Sequence, residues 1–301
     1  MSGVSGFHRQ HANGGQKWRR LHQLKPLASR LRMASPWPKP PLLTLLLLAL
    51  LCLLRPAWAG QDCGERAAPT AQALARGMAL GERVRDQLER SGASAALVAR
   101  VGLNLGEFGQ RYTHMGMAVR DHVRQRWLVL HLFNPCGKAE SEISVQPLEQ
   151  FYEVDLFAFE ALTLTPSYAL QVALRVVFMN PATTRQLHKP AYNMIAHPFN
   201  TRFQNSNQWI LEMTALALDR SGGVKDRTSA QAWLAAAGFE PGTIRISNLR
   251  RSGARLFSPH VSFSDHTPEE YEQQLYKVVT VDAIAQFIES KNPGLTRAVV
   301  N

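Results

Sequence analysis

The chain has 301 residues, 45% of them hydrophobic and 19% charged, which is enough to bury a sizeable core and excludes a disordered polar chain. Its formal net charge of +11 is unevenly placed: residues 1–59 hold nine Lys or Arg and no Asp or Glu, leaving 25 basic against 23 acidic side chains in residues 60–301. A nucleic-acid role thereby loses its main support, because the excess charge belongs to the leader.

That leader reads as a targeting segment. Leu42 to Leu54 is a 13-residue run, apolar except for Thr44, followed by Arg55-Pro56 and Ala57-Trp58-Ala59. A basic start, a short apolar core and an A-x-A site predict a secretory signal peptide cleaved before Gly60, with Met33 as the expected true start. The run is shorter than the roughly 20 apolar residues of a membrane-spanning helix, so no stable anchor is expected after cleavage. Ala49-Leu50-Leu51 before Cys52 is a poor lipoprotein box. The expected location is periplasmic or secreted. Two cysteines remain in residues 60–301, Cys63 and Cys136, and an oxidising compartment favours one disulfide between them over two buried thiols. No Cys/His cluster has zinc spacing, so neither metal nor cofactor is indicated.

Residues 60–301 lack a dividing linker and read as a single α+β domain. Thr70 to Glu89 predicts a helix with one broad apolar face, and Ala96 to Val101 fits either a strand or a second helix. Tyr112 to Val119 and Arg126 to Leu132 predict two antiparallel strands across a polar turn, with a third at Ile143 to Pro147. Leu148 to Ser167 is rich in Phe, Tyr and Leu without a clean period, and within it residues 151–164 read as core or pocket wall. Tyr168 to Met179 predicts a helix ending before Pro181. A long loop then runs through Tyr192-Asn193-Met194 and His197-Pro198 to Gln204-Asn205, of a length that often carries function. Ser206 to Leu218 predicts a helix apolar nearly all round, hence buried, and Glu212 within it requires a partner, for which Arg202 and Tyr192 are candidates. Ser229 to Ala237 predicts another helix; Thr243 to Ile246, His260 to Phe263 and Tyr276 to Val281 predict strands; Asp282 caps a last helix to Ser290. Arg245, Arg250, Arg251 and Arg255 form a small basic cluster that reads as a solvated face.

Chemistry concentrates in His114 at a strand start, His131 on the neighbouring strand and Ser206 opening the buried helix. A nucleophile at a helix N-terminus gains from the dipole and from free backbone N–H groups; an imidazole beside it is a base, and a second polar group orients that base. Each residue has a plainer reading. Ser206 or Asn205 is a helix cap, His114 a hydrogen-bonded strand histidine, His131 a buried structural one and His197 a loop brace. Gln204, Asn205 and Asn207 either donate to an oxyanion or hold the loop.

The H-x-G-x-A-V stretch at His114, the second strand with its polar residue, and Asn205-Ser206-Asn207-Gln208-Trp209 at the helix start resemble the circularly permuted branch of the NlpC/P60 papain-like hydrolases over roughly residues 95–220. More closely, residues 60–301, including Ala191-Tyr192-Asn193-Met194 and Asn200 to Trp209, are similar to a secreted bacterial family of unknown function, DUF2145. The first resemblance implies a permuted papain-like fold, with an antiparallel sheet packed on a buried central helix. It also implies hydrolysis of an amide or ester bond in a cell-wall peptide or acyl substrate, with Ser206 as nucleophile, His114 as base and His131 as orienting group. Asn205, Asn207, Gln204, Tyr192 and His197 are the binding candidates. The family's nucleophile is cysteine, and serine here is a departure: a hydroxyl does not ionise near neutral pH and needs concerted proton removal. The alternative expectation is an inactive envelope protein that binds a peptide or lipid-like ligand in the same cleft.

Overall fold

The computed structural model describes residues 69–135, 138–153 and 155–301. The expected signal peptide and the Cys63–Cys136 pairing lie outside the described residues. Among those residues, no helix is long and apolar enough to cross a membrane.

The first helix, α1 (Ala71–Arg90), starts where Thr70 Oγ1 accepts the Ala73 amide at 3.1 Å. It leads into β1 (Ala95–Val101), which resolves the strand-or-helix ambiguity in favour of a strand. Strands β2 (His114–Asp121), β3 (Arg126–Phe133) and β4 (Glu142–Pro147) follow as a meander. The aperiodic 148–167 stretch divides into a short helix α2 (Leu148–Glu153) and strand β5 (Ala158–Thr165). Its missing period reflects burial of the strand on both faces. Next come α3 (Tyr168–Phe178), α4 (Pro181–Gln186), α5 (Ser206–Leu218), α6 (Arg227–Ala236), β6 (Gly242–Arg245), α7 (Asn248–Phe257), α8 (Pro268–Gln273), β7 (Leu275–Val278), α9 (Val281–Lys291) and β8 (Thr296–Val300).

Six strands form one sheet in the order β4-β3-β2-β1-β5-β8, every pairing antiparallel, and β6-β7 form a separate ribbon. The class is α+β. Alternation along the strands divides the core into two layers. Leu97, Met115, Met117, Leu130 and Leu132 face Trp209, Ile210 and Met213 of α5, with α3 and α9 beside it. Val98, Ala118 and Val129 face Leu80, Val84 and Leu88 of α1 and Phe151 and Tyr152 of α2. Helices α1 and α2 approach backbone to backbone: a Cβ on Gly81 would lie 2.6 Å from Glu149 Cα, which is why glycine stands there.

Three expectations are corrected. His260 to Phe263 is not a strand: the Val261 amide closes a local turn on Ser258 O (3.1 Å), and Asn193 Oδ1 takes the Ser262 amide at 2.9 Å while Asn193 Nδ2 donates to Ser262 O at 2.7 Å. One carboxamide thus replaces a neighbouring strand. The last helix is capped by Thr280, whose Oγ1 accepts the Ala283 amide at 3.1 Å, and β7 ends at Val278; Asp282 sits in the first turn. Glu212 finds neither Arg202 nor Tyr192. Arg227 of α6 donates to it through Nε at 2.9 Å and Nη2 at 3.1 Å, joined by Gln204 Nε2 at 2.6 Å and Gln231 Nε2 at 2.9 Å. In the basic cluster Arg245 and Arg250 are exposed, as a solvated face requires, and two of its members also have partners. Arg250 pairs with Glu107 at 2.7 Å and Arg251 donates to the Tyr276 hydroxyl at 2.7 Å.

All the partners of Glu212 are donors, the set an ionised carboxylate requires. Removing one partner of a buried ion pair strands the other charge. Glu212→Ala is therefore expected to lower the unfolding free energy by about 3–5 kcal/mol in urea titrations, with the joint change Glu212→Leu and Arg227→Met costing far less. A loss below about 1 kcal/mol for the single change would show that the network does not hold the helix in place.

Candidate functional site

Asn205 is the N-cap of α5: its Oδ1 accepts the Gln208 amide at 2.7 Å, and the Trp209 amide closes on Asn205 O at 3.2 Å. Ser206 therefore occupies the first helical position with its hydroxyl free of capping duty. The amides of Ser206 and Asn207 belong to the turn that has no intrahelical acceptor. Ser206 Oγ instead lies 3.1 Å from His114 Nδ1, and His114 Nε2 lies 3.0 Å from His131 Nδ1. Three side chains from β2, β3 and α5 thus form one hydrogen-bonded chain.

The Asn207 carboxamide fixes this juxtaposition. Its Oδ1 accepts the Met115 amide at 3.1 Å and its Nδ2 donates to Thr113 O at 3.3 Å, so it grips the backbone on either side of His114. Gln204 and Asn205 are committed in the same way. Gln204 Oε1 accepts the Lys189 amide at 2.8 Å and its Nε2 also reaches Leu187 O at 2.9 Å; Asn205 Nδ2 donates to Met194 O at 3.4 Å. These carboxamides hold the loop. Donors for an oxyanion are left to the Ser206 and Asn207 amides, which have no intrahelical acceptor among the described residues.

Electrostatics keep both imidazoles neutral. His114 is held well below the usual histidine range, first by burial, then by the Arg100 guanidinium and by His131. His131 is pushed down to about 4 by burial and Arg100, with Gln146 and the Leu132 backbone working the other way. Neighbouring Gln146 makes no hydrogen bond of good geometry to His131 Nε2, which is buried and without a partner among the described residues. If Ser206 donates to His114 Nδ1, the His114 Nε2 proton points at His131 Nδ1 and the last proton rests on that unpartnered Nε2. The Phe151 ring packs under the pair, stacked with His114 at 5.6 Å and edge-on to His131 at 5.3 Å.

Arg100 and Phe151 are the residues that sequence reading missed. Arg100 stands directly opposite His114 in the β1–β2 register, donates to Phe151 O at 2.8 Å and lies 5.0 Å over the Phe151 ring. The available signal was a lone arginine in the otherwise apolar Ala95–Val101 strand. Asp155, in the left-handed region at φ 58°, lies near enough to Arg100 to act as a counter-charge.

Ser206, His114, Asn205, Asn207, Arg100, Asp155 and Tyr192 all line one cavity of about 600 Å³. Burial raises the Tyr192 phenol to about 12, with a hydrogen bond to Ser206 pulling the other way. His197 lies apart from the cavity wall. Its Nδ1 accepts the Phe199 amide at 3.2 Å and its Nε2 is 3.7 Å from Glu270 Oε2, a bracing arrangement. Among the described residues, no group of three His, Cys, Asp or Glu side chains is placed to hold a metal ion.

The family model described as an uncharacterized protein conserved in bacteria (DUF2145) matches residues 87–288, which spans the whole site. No curated protein and no solved structure matches the chain.

Imidazoles held neutral in the fold titrate near 6.5 once unfolded, so the unfolded chain binds more protons at mildly acid pH. Stability is accordingly expected to be full above pH ~6.5 and to fall as pH drops towards about 4, with His131→Asn flattening that decline. Ring-carbon NMR titration of His131 checks the premise; a midpoint at the ordinary value of about 6.5 would refute it.

Proposed function

The chain belongs to the DUF2145 family, whose description assigns no activity, and we propose from the site itself that it is a serine hydrolase of amide or ester bonds on a permuted papain-like arrangement. The observation that carries the proposal is the 3.1 Å contact between Ser206 Oγ and His114 Nδ1 at the N-terminus of a buried helix. The strand histidine preceding the nucleophile in sequence, and the antiparallel sheet packed on the nucleophile's helix, support the papain-like reading. With its leader read as a signal peptide, the enzyme works in the periplasm or beyond the cell.

In the proposed reaction, Ser206 Oγ attacks the substrate carbonyl carbon as its proton passes to His114 Nδ1. The carbonyl oxygen takes up the negative charge and is met by the free amides of the first turn of α5. Collapse breaks the bond to the leaving oxygen or nitrogen, which receives the proton from His114, and leaves an acyl ester on Ser206. Water, giving its proton to His114, then releases the acid and restores the serine. His131 orients the base through its 3.0 Å contact.

A second reading, a binding protein without turnover, is favoured by one observation: burial and Arg100 depress the basicity of His114, and its orienting partner is another imidazole rather than a carboxylate. An experiment separates the two. A fluorophosphonate probe is expected to label Ser206, with His114→Ala slowing labelling by about 10²–10⁴-fold, the usual contribution of a general base. In a Ser206→Cys variant, the pH profile of alkylation is expected to show a thiol below the free value of about 8.5, returning towards it with His114→Ala. Absence of labelling together with an ordinary thiol would leave the binding reading standing and remove the hydrolase.

A further inference from the structure

The imidazole next to the base has a hydrogen-bond partner on one side only. His131 Nδ1 faces His114 Nε2 at 3.0 Å, while its Nε2 is buried and unpartnered among the described residues. A buried N–H without an acceptor is costly, and an imidazole carries its proton on either nitrogen, so the tautomer of His131 depends on what meets Nε2. The choice reaches Ser206. With the proton on Nε2, His131 offers Nδ1 as an acceptor; His114 then keeps its own proton on Nε2 and turns its Nδ1 lone pair to the serine hydroxyl. With the proton on Nδ1, His131 donates to His114 Nε2, the His114 proton sits on Nδ1, and Ser206 loses its base.

Two polar residues of β4 share the face of the sheet that carries His131 and packs on Phe151. Ser144 is directly opposite His131, and Gln146 is opposite Val129, two residues back along β3. Alternation puts Val129 and His131 on one face and cross-strand partners share it, so Gln146 is a diagonal neighbour of His131. The diagonal runs in the useful direction. The β2–β3 register, with Met117 opposite Leu130, sets His114 beyond His131 towards Phe133, whereas Gln146 lies on the other side. The two ring nitrogens point away from each other, so a ring that turns Nδ1 to His114 turns Nε2 towards β4 and Gln146. The Ser144 hydroxyl, on a single carbon, stays close to its own strand, while the longer glutamine spans the diagonal. The Gln146 carboxamide already favours the charged form of His131, against burial and Arg100, which is the effect of an oxygen turned to the ring.

We infer that Gln146 is a positioning residue for the Ser206–His114–His131 chain: a turn of its carboxamide lets Oε1 accept the His131 Nε2 proton and fixes the tautomer that leaves His114 Nδ1 free as base. The inference rests on the proposed function only for what that base then does; the tautomer belongs to the resting protein. Nitrogen NMR of the intact protein reads it directly, since protonated and bare imidazole nitrogens resonate far apart. His131 is expected to carry its proton on Nε2. Gln146→Leu is expected to convert this into a mixture of tautomers, and Gln146→Glu, an acceptor only, to restore it, with Ser144→Ala leaving it unchanged. In the same proteins, fluorophosphonate labelling of Ser206 should slow by about tenfold with Gln146→Leu and recover with Gln146→Glu. Should Gln146→Leu fail to fold, Gln146→Asn, which keeps the amide and shortens its reach, takes its place. A proton on Nδ1 in the unaltered protein, a tautomer indifferent to folded Gln146 variants, or one that follows Ser144 instead would each overturn the assignment. The two proposals fail separately. A tautomer set by Gln146 beside an unreactive Ser206 removes the hydrolase and keeps the positioning role; a reactive Ser206 whose His131 ignores Gln146 does the reverse.

Discussion

The position of the site depends on one buried charge. Helix α5 has no polar face and is driven between the sheet and its outer helices, yet it carries Glu212 with no exposure to water. That carboxylate is tolerable only because Arg227, Gln204 and Gln231 converge on it. Arg227 also donates to Thr201 O at 2.9 Å, and Gln204 is bound to Leu187 and Lys189, so the same charge fastens the loop that delivers the chain to Asn205. The depth of α5 and the approach of its first turn are therefore fixed by a single network, six residues from the serine.

Beyond that anchor, carboxamides substitute for regular secondary structure. A loop of this length would ordinarily need a ladder to satisfy its backbone groups. Here Asn193 bonds both to Ser262 and to Asp265, Asn205 caps the helix and Asn207 reaches β2. Each amide side chain offers an acceptor and donors in one plane, as a peptide unit does. The grip of Asn207 on residues 113 and 115 has the sharpest consequence, because it ties the register of β2 to the first turn of α5. The serine–imidazole distance is then a property of the packed backbone rather than of flexible side chains.

The strands β2 and β3, their antiparallel pairing and the buried helix were legible because alternation and an all-apolar helical run are local signals. The convergence of His114, His131 and Ser206 was legible only through resemblance, since residues 92 positions apart share no local pattern. Where reading failed, tertiary context outweighed local preference. His260 to Phe263 has strand composition but is paired by a side chain, and Thr280 rather than Asp282 is the cap because the ribbon strand ends at Val278, three residues earlier than expected. The edge strand β8, five residues at the end of the described chain, is too short for a period to show. Arg227 was invisible as the partner of Glu212 because nothing in sequence relates adjacent helices at that spacing.

Under the proposed function, the serine makes sense of the charges around it. A Ser–His–His chain beside Arg100 resists an isolated imidazolium, because burial and the like charge of the guanidinium both oppose it. A cysteine in the same place would ease that opposition in the ground state as a thiolate. An alkoxide cannot form there, so the proton must leave Ser206 only as the tetrahedral oxyanion appears at the helix N-terminus. In that state one negative charge stands among the imidazolium, the guanidinium and the helix amides, and Arg100, which opposes protonation of the resting base, favours the oxyanion. The Ser–His–His chain carries no charge at rest and gains its imidazolium and oxyanion together at the transition state, the condition under which electrostatic preorganisation assists the reaction rather than the resting complex.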